Sequence, residues 1–148
     1  MSRFGLEIRA ATAAEAPGLA ALLATAGHAV PPQQLADRLA ALRQAPATAL
    51  VALRWGPPSG LVVLHWYPTL TEARPTALIT TLLVDPEERR IGIGRLLLKA
   101  AAQAARSAGC GQLELAVPAA APFLREFAAA TGFTEAGAGF IRALRRQG

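Results

Sequence analysis

The sequence predicts an α/β (α+β) domain: a mixed, mostly antiparallel sheet of about seven strands, flanked by helices, with a parallel pair at its central strands. Three observations lead there. Patterned segments follow the order strand, two helices, three strands, helix, strand, helix and a closing pair of short strands. The runs 49–55 and 60–67 are joined by the turn-forming residues GPPS and read as an antiparallel pair. The runs 76–84 and 112–117 are separated by one helical stretch, and a helix that crosses between two strands makes them parallel.

Each element has its own signal. Residues 6–10 form a short first strand, followed by Thr12-x-x-Glu15, a capping box in which hydroxyl and carboxylate each satisfy an orphan amide. Leu19, Leu22, Leu23 and Ala26 then recur at helical spacing until Gly27, with Pro17 near the helix start. The Pro31-Pro32 pair opens a second helix whose Leu35, Leu39 and Leu42 share a face, leaving Asp37, Arg38 and Arg43 for water. The run 76–84 is apolar on both faces except at Thr80 and Thr81, which implies a central place in the sheet. The third helix covers 96–106. Its apolar stripe is Ile93, Leu96, Leu97, Ala100, Ala101 and Ala104, opposite Arg95, Lys99, Gln103 and Arg106, and Gly109 is its C-cap. A last helix over 122–131 turns Phe123, Leu124 and Phe127 inward, and 133–135 with 139–144 close the sheet as a hairpin.

Composition narrows the function classes. With 148 residues, 1–148 is expected to be one domain, able to remove roughly 70% of its unfolded surface from water. No apolar run reaches the roughly 18 residues of a membrane span, and the N-terminus lacks the apolar core of a signal peptide, so a cytoplasmic protein is expected. Cys110 is the sole cysteine and His28 and His65 are the only histidines, which leaves neither a disulfide nor an expected metal site. The 15 basic residues include one lysine, Lys99, against 10 acidic ones; arginine forks suit phosphate and carboxylate ligands. The arginines are dispersed apart from Arg89/Arg90 and Arg142, Arg145 and Arg146, and aromatic residues make up 5%, so neither a membrane nor a nucleic acid is the expected partner.

The stretch 85–95, DPEERRIGIGR, lies between the strand 76–84 and the third helix. A glycine-punctuated turn opening into a helix brings backbone amides close to an anion, with the positive end of the helix dipole behind them. Glycines at 92 and 94 leave no Cβ between amide and phosphate oxygen, and Arg89, Arg90 and Arg95 add positive charge. A dinucleotide-binding turn would want a third glycine where Leu97 stands, and the Gly-Lys-Ser/Thr of an NTPase phosphate loop is absent.

With this element order around it, Arg89-x-x-Gly92-x-Gly94 resembles the cofactor turn of the GNAT superfamily of acyl-CoA-dependent N-acetyltransferases, and the resemblance covers essentially the whole chain. It implies acetyl-CoA as cosubstrate, its pyrophosphate held by the turn (Arg89, Arg90, Ile91, Gly92, Ile93, Gly94 and Arg95) and its pantetheine arm paired with the backbone of Leu82, Leu83 and Val84. The Val84 amide becomes the candidate oxyanion donor. A weaker match, FLREFAAATGF, aligns Phe127, Gly132 and Phe133 with a family segment. Two departures matter. The glutamate that often takes the amine proton is Thr80 here, and the tyrosine that usually protonates the leaving thiolate is Ala128; an asparagine frequent near Ala121 is also absent.

Acyl transfer to an amine needs a neutral nucleophile, an oxyanion donor and a route for protons. His65 and Tyr67, at the end of the strand beside 76–84, are substitute catalytic candidates together with Thr80, which can orient a water. Glu114 alternates away from Leu113 and Leu115, while Cys110 has nothing nearby to activate it. In family terms the acceptor lies between the first two helices and the loop 68–75, where Glu72, Asp37, His28 and Arg74 are the polar residues. The expected activity is acetyl transfer to a primary amine of a small molecule or peptide. The alternative is a non-catalytic acyl-CoA sensor. A homodimer stays open.

Overall fold

The computed structural model describes residues 5–118, 121–137 and 139–144, without the side chains of Arg89, Arg90 and Pro122. Residues 1–116 and 117–148 form two compact units. The first holds β1 (Glu7–Ala10), α1 (Ala16–Thr25), α2 (Pro32–Leu42), β2 (Ala47–Leu53), β3 (Gly60–Tyr67), β4 (Thr76–Val84), α3 (Ile93–Ser107) and β5 (Gln112–Leu115). The second holds α4 (Pro122–Ala130).

The sheet runs β1-β2-β3-β4-β5, antiparallel throughout except for the parallel pair β4 and β5. Hairpin and crossover are as expected, but the sheet has five strands among the described residues rather than about seven. The parallel pair therefore lies at one edge, and β4 is penultimate instead of central. The two missing strands are those expected over 133–135 and 139–144: the described residues there form no strand, and residue 138 lies outside the described set. Phe140, Ile141 and Leu144 stand almost fully exposed, and a lone two-stranded hairpin with no buried face is marginal in water.

Alternation assigns the sheet faces. Val51, Leu61 and Val63 form a core with Leu19, Leu22, Leu35 and Leu39 of α1 and α2. On the opposite face Val62, Leu64, Ala77 and Ile79 are fully buried, as are Ile93, Leu97 and Ala101 of α3. The buried stripe of α3 is Ile93, Leu97, Leu98, Ala101 and Ala105, rotated from the expected one because Leu96, Ala100 and Ala104 sit at its margin. Gly60 sets how near α3 can come. A Cβ at 60 would lie 2.7 Å from Leu97 Cδ1, 3.0 Å from Ile93 Cγ2 and 3.1 Å from the Leu83 carbonyl oxygen. Gly60→Ala is therefore expected to lower unfolding stability by about 2 kcal/mol, read by urea denaturation, since the blocked contacts include backbone.

The entry to α1 is held by charge. The Glu15 carboxylate accepts from the Thr12 amide at 2.7 Å and the Thr12 hydroxyl at 3.0 Å, and it takes both Arg9 guanidinium arms at 2.9 and 3.2 Å. A short 3-10 turn, Ala13–Glu15, follows Thr12, and α1 begins after it. The hydrogen-bonded Arg9 holds the Glu15 carboxyl below the usual carboxylate range against a smaller opposing effect of burial. A depressed carboxyl stabilises the fold above its unfolded pKa and stops doing so as pH falls through its folded one. Glu15→Gln is thus expected to cost about 1 kcal/mol at pH 7, with the gap to the parent closing in denaturation curves taken at successively lower pH.

In the second unit, Thr131 ends α4 with its hydroxyl donating to the Phe127 carbonyl at 2.7 Å, and Arg125 pairs with Glu135. Phe127 and Leu124 are half-buried, but Phe123, expected to face inward, is 57% exposed; among the described side chains of this helix the small Ala128 is the buried one.

Candidate functional site

The register of β4 creates an opening. Its pairing with β5 spans Thr76 to Ile79 only, closed by the Ala116 amide on the Ile79 carbonyl at 3.1 Å. On the other side β4 stays paired with β3 as far as Val84, opposite Gly60. Among the described residues, the β5-facing backbone groups of 80–84 have no strand partner. The Asp85 amide donates towards β3, to the Ser59 carbonyl at 2.8 Å, so by alternation the Val84 and Leu82 amides point to the open side.

Directly after β4 comes the glycine turn. Residues Pro86–Ile91 are a 3-10 helix whose start is capped by Asp85, its carboxylate accepting from the Glu87 amide at 3.0 Å. Gly92 then adopts φ +81°, with open space where a Cβ would stand, and α3 begins at Ile93. The helix thus starts three residues earlier than expected, which places Gly94 and Arg95 in its first turn. Gly92 has no side chain to cap this terminus and none of the described side chains does so, so its leading amides keep their hydrogen-bonding capacity. Arg95 is exposed; the side chains of Arg89 and Arg90 lie outside the description. Glu88 forms an ion pair with Arg54 at 3.5 Å, a distance and geometry that leave Arg54 Nε and Glu88 Oε2 without hydrogen bonds, and the Arg54 guanidinium stacks 4.8 Å above the Trp55 ring.

On the α1/α2 face of the sheet a bulge gathers the polar candidates. Val63 pairs with Thr81 but Leu64 with Ile79, so Thr80 is an extra residue in β4. A regular strand would put Ile79 and Thr81 on one face; the bulge sends Ile79 towards α3 and Thr81 towards α1 and α2. His65 Nε2 lies 3.2 Å from Thr80 Oγ1. In the same cross-strand row His65 aligns with Leu78 and Leu78 with Glu114, which places Glu114 on this face. Gln112 donates to Glu114 at 3.2 Å. Burial first, then the Glu114 carboxylate, push the Tyr67 hydroxyl above its ordinary pKa, so it keeps its proton at neutral pH.

Above this row lies a cavity of about 460 Å³, lined by Leu19, Leu23, Leu35, Arg38, Leu39, Ala41, Leu42, Ala45, Leu61, Val63, His65 and Thr81. Another, of about 430 Å³, is lined by Gly5, Glu7, Arg9, Ala14, Glu15, Gly18, 53–56, Pro57 and Pro58 and contains none of the candidate residues. Of the other polar candidates, His28 is exposed, Asp37 accepts from Gln33 at 3.3 Å, the Glu72 amide bonds the Thr69 hydroxyl at 3.2 Å, and Arg74 packs beside Gly111; none lines either cavity. Burial raises the Cys110 thiol pKa, which keeps it protonated. Sequence reasoning missed Arg38 as a cavity residue, although Leu35, Arg38 and Leu42 share a helix face by spacing. Thr81 had no such signal, because a bulge has none here.

Among the described residues no cluster of three or more His, Cys, Asp or Glu could hold a metal, and no helix is long and apolar enough to cross a membrane.

A strand that parts from its parallel neighbour beside a glycine-led helix start makes this an α/β fold with an open strand edge next to an anion-binding turn. The chain belongs to the GNAT acetyltransferase family, whose model matches residues 17–133. No curated protein matches it in sequence. A putative acetyltransferase from Agrobacterium tumefaciens superposes with a TM-score of 0.82 at 28% identity, over 93% of this chain and 99% of that one. An aminoglycoside acetyltransferase from an uncultured soil metagenomic sample, solved with sisomicin, gives 0.78 at 22%, over 95% and 97%. An aminoglycoside N-acetyltransferase solved with CoA gives 0.80 at 18%, over 95% of each chain. The last two likenesses speak for the fold alone.

Proposed function

We propose that the chain acts as a single acetyl-CoA-dependent N-acetyltransferase domain, transferring an acetyl group to a primary amine of a small molecule or peptide. The observation that carries this reading is the unpaired β5-facing edge of β4 beside the uncapped start of α3. An extended amide-bearing arm can pair along that edge, at Leu82 and Val84, as a strand would, while the backbone groups of Leu83 between them face β3. A pyrophosphate suits the amides from Gly92 to Arg95, where the open space at Gly92 admits close approach. The residues of the 3-10 helix, Arg89, Arg90 and Ile91, supply the flank of that site.

Acetyl-CoA would bring the activated acyl thioester; the chain's own groups do the rest. The Val84 amide, on the open side, is the oxyanion donor for the tetrahedral stage. His65, oriented by Thr80, receives the proton that the amine gives up, directly or through one water. Tyr67, which holds its proton, is a donor on the same sheet face.

The second reading, an acyl-CoA-binding module without turnover, draws on Thr80 and Ala128 standing where the family usually has its base and acid. Calorimetric titration with acetyl-CoA followed by a thiol-release assay on a panel of amines separates the two. Binding with release supports the enzyme, binding without release on every amine supports the sensor, and no binding removes both.

A further inference from the structure

We propose that the acceptor is a small apolar amino acid: a primary amine bearing a carboxylate and a large aliphatic or aromatic group, seated in the cavity between α1, α2 and the β3–β4 face. This rests on the acetyltransferase reading above and adds the substrate class to it. The cavity, about 460 Å³, has room for a ligand of this size beside the acyl arm. Nine of its twelve lining residues are apolar, and Leu23 and Leu42 leave part of that surface open to water. A polyhydroxylated acceptor would lose more hydration against the nine apolar residues than Arg38, His65 and Thr81 can replace.

The charge of the lining selects further. None of the twelve residues is acidic, and the one fixed cation is Arg38. Arg38 is exposed and has no carboxylate partner among the described residues; Asp37 next to it is engaged by Gln33. A planar guanidinium fork free at a cavity wall is a receptor for a carboxylate. The same charge repels polycationic amines, which need carboxylates to replace their solvation. The acceptor class therefore differs from the aminoglycosides named for two structures of similar fold.

The reaction balances simply. The amine nitrogen attacks the thioester carbonyl carbon, the N–C bond forms and the C–S bond breaks with its electron pair on sulfur. The amine's proton ends, by way of His65 or water, on the CoA thiolate. The products are an N-acetyl amino acid, whose carboxylate still meets Arg38, and free CoA thiol.

The test uses the full chain with acetyl-CoA and follows thiol release. L-Leucine and L-phenylalanine are compared with isoamylamine and phenethylamine, which lack only the carboxylate, and with spermidine and sisomicin. The expected result is kcat/KM about tenfold higher for each amino acid than for its decarboxylated amine, with spermidine and sisomicin lowest. Arg38→Gln brings the leucine to isoamylamine ratio towards one, and Arg38→Lys restores part of it. Filling the cavity mouth through the exposed Ala41, as Ala41→Phe, raises KM for phenylalanine more than for leucine. Turnover of spermidine or sisomicin above leucine overturns the substrate class while leaving the acetyltransferase reading in place, as does a leucine to isoamylamine ratio that Arg38→Gln does not move. Failure of acetyl-CoA to bind overturns both.

Discussion

Gly92→Asp is expected to weaken acetyl-CoA binding more than 100-fold, whereas Gly92→Asn weakens it only a few-fold. Both side chains meet the same backbone demand, since Gly92 has φ +81°, a region that costs an L-residue roughly 1 kcal/mol and that Asn and Asp tolerate best. Both also find the same open space at the Cβ position. What differs is one negative charge beside the proposed pyrophosphate seat. At about 5 Å and an effective dielectric near 20, each pair of like unit charges costs about 3 kcal/mol, which is more than two orders of magnitude in affinity. Calorimetry on the two variants, with thermal melts to show that each is folded, reads the charge term by difference. Equal affinities would place the pyrophosphate elsewhere and remove the assignment of the turn.

How far the sequence reaches is clearest at this same turn. The place of the glycine turn between β4 and α3 was legible because glycine spacing and a following amphipathic run are local signals, and β3 and β4 fall on the residues their patterns indicate. The α3 start was misplaced by three residues since Gly94 is a poor helix former and Ile93 only a middling one; burial of Ile93 against the sheet holds this turn in the helix. The bulge at Thr80 was invisible, because period-two alternation assumes one residue opposite one. That single insertion decides which side chains meet. It turns Thr81 into the cavity and sets Thr80 against His65, whereas the sequence could offer His65, Tyr67, Thr80 and Glu114 only as separate candidates. The closing hairpin failed for a different reason: the apolar residues of 139–144 have no buried partner face among the described residues, and Phe140, Ile141 and Leu144 stand exposed.

His65→Gln is expected to lower kcat/KM about 100-fold with acetyl-CoA affinity unchanged. An amine can attack only when neutral, and on this face of the sheet few groups can take its proton. Thr80 and Thr81 are not bases near neutral pH. Glu114 is held by Gln112 and lies under the influence of the Tyr67 hydroxyl, whose proton it helps to retain. His65 is the remaining acceptor that lines the cavity, and its contact with Thr80 at 3.2 Å restricts the ring to orientations that present its other nitrogen. Glutamine keeps hydrogen-bonding capacity at 65 but cannot carry a proton. Thr80→Val, which removes only the orienting hydroxyl, should therefore cost less, about tenfold, and should act on kcat rather than on acetyl-CoA binding. The double variant His65→Gln/Thr80→Glu puts a carboxylate base one strand away from the lost imidazole. Its recovery of rate over His65→Gln would show that the site lacks a base rather than a packing contact. Full activity in His65→Gln would mean that the proton goes straight to water, leaving the His65–Thr80 pair a structural tie between β3 and the bulge of β4.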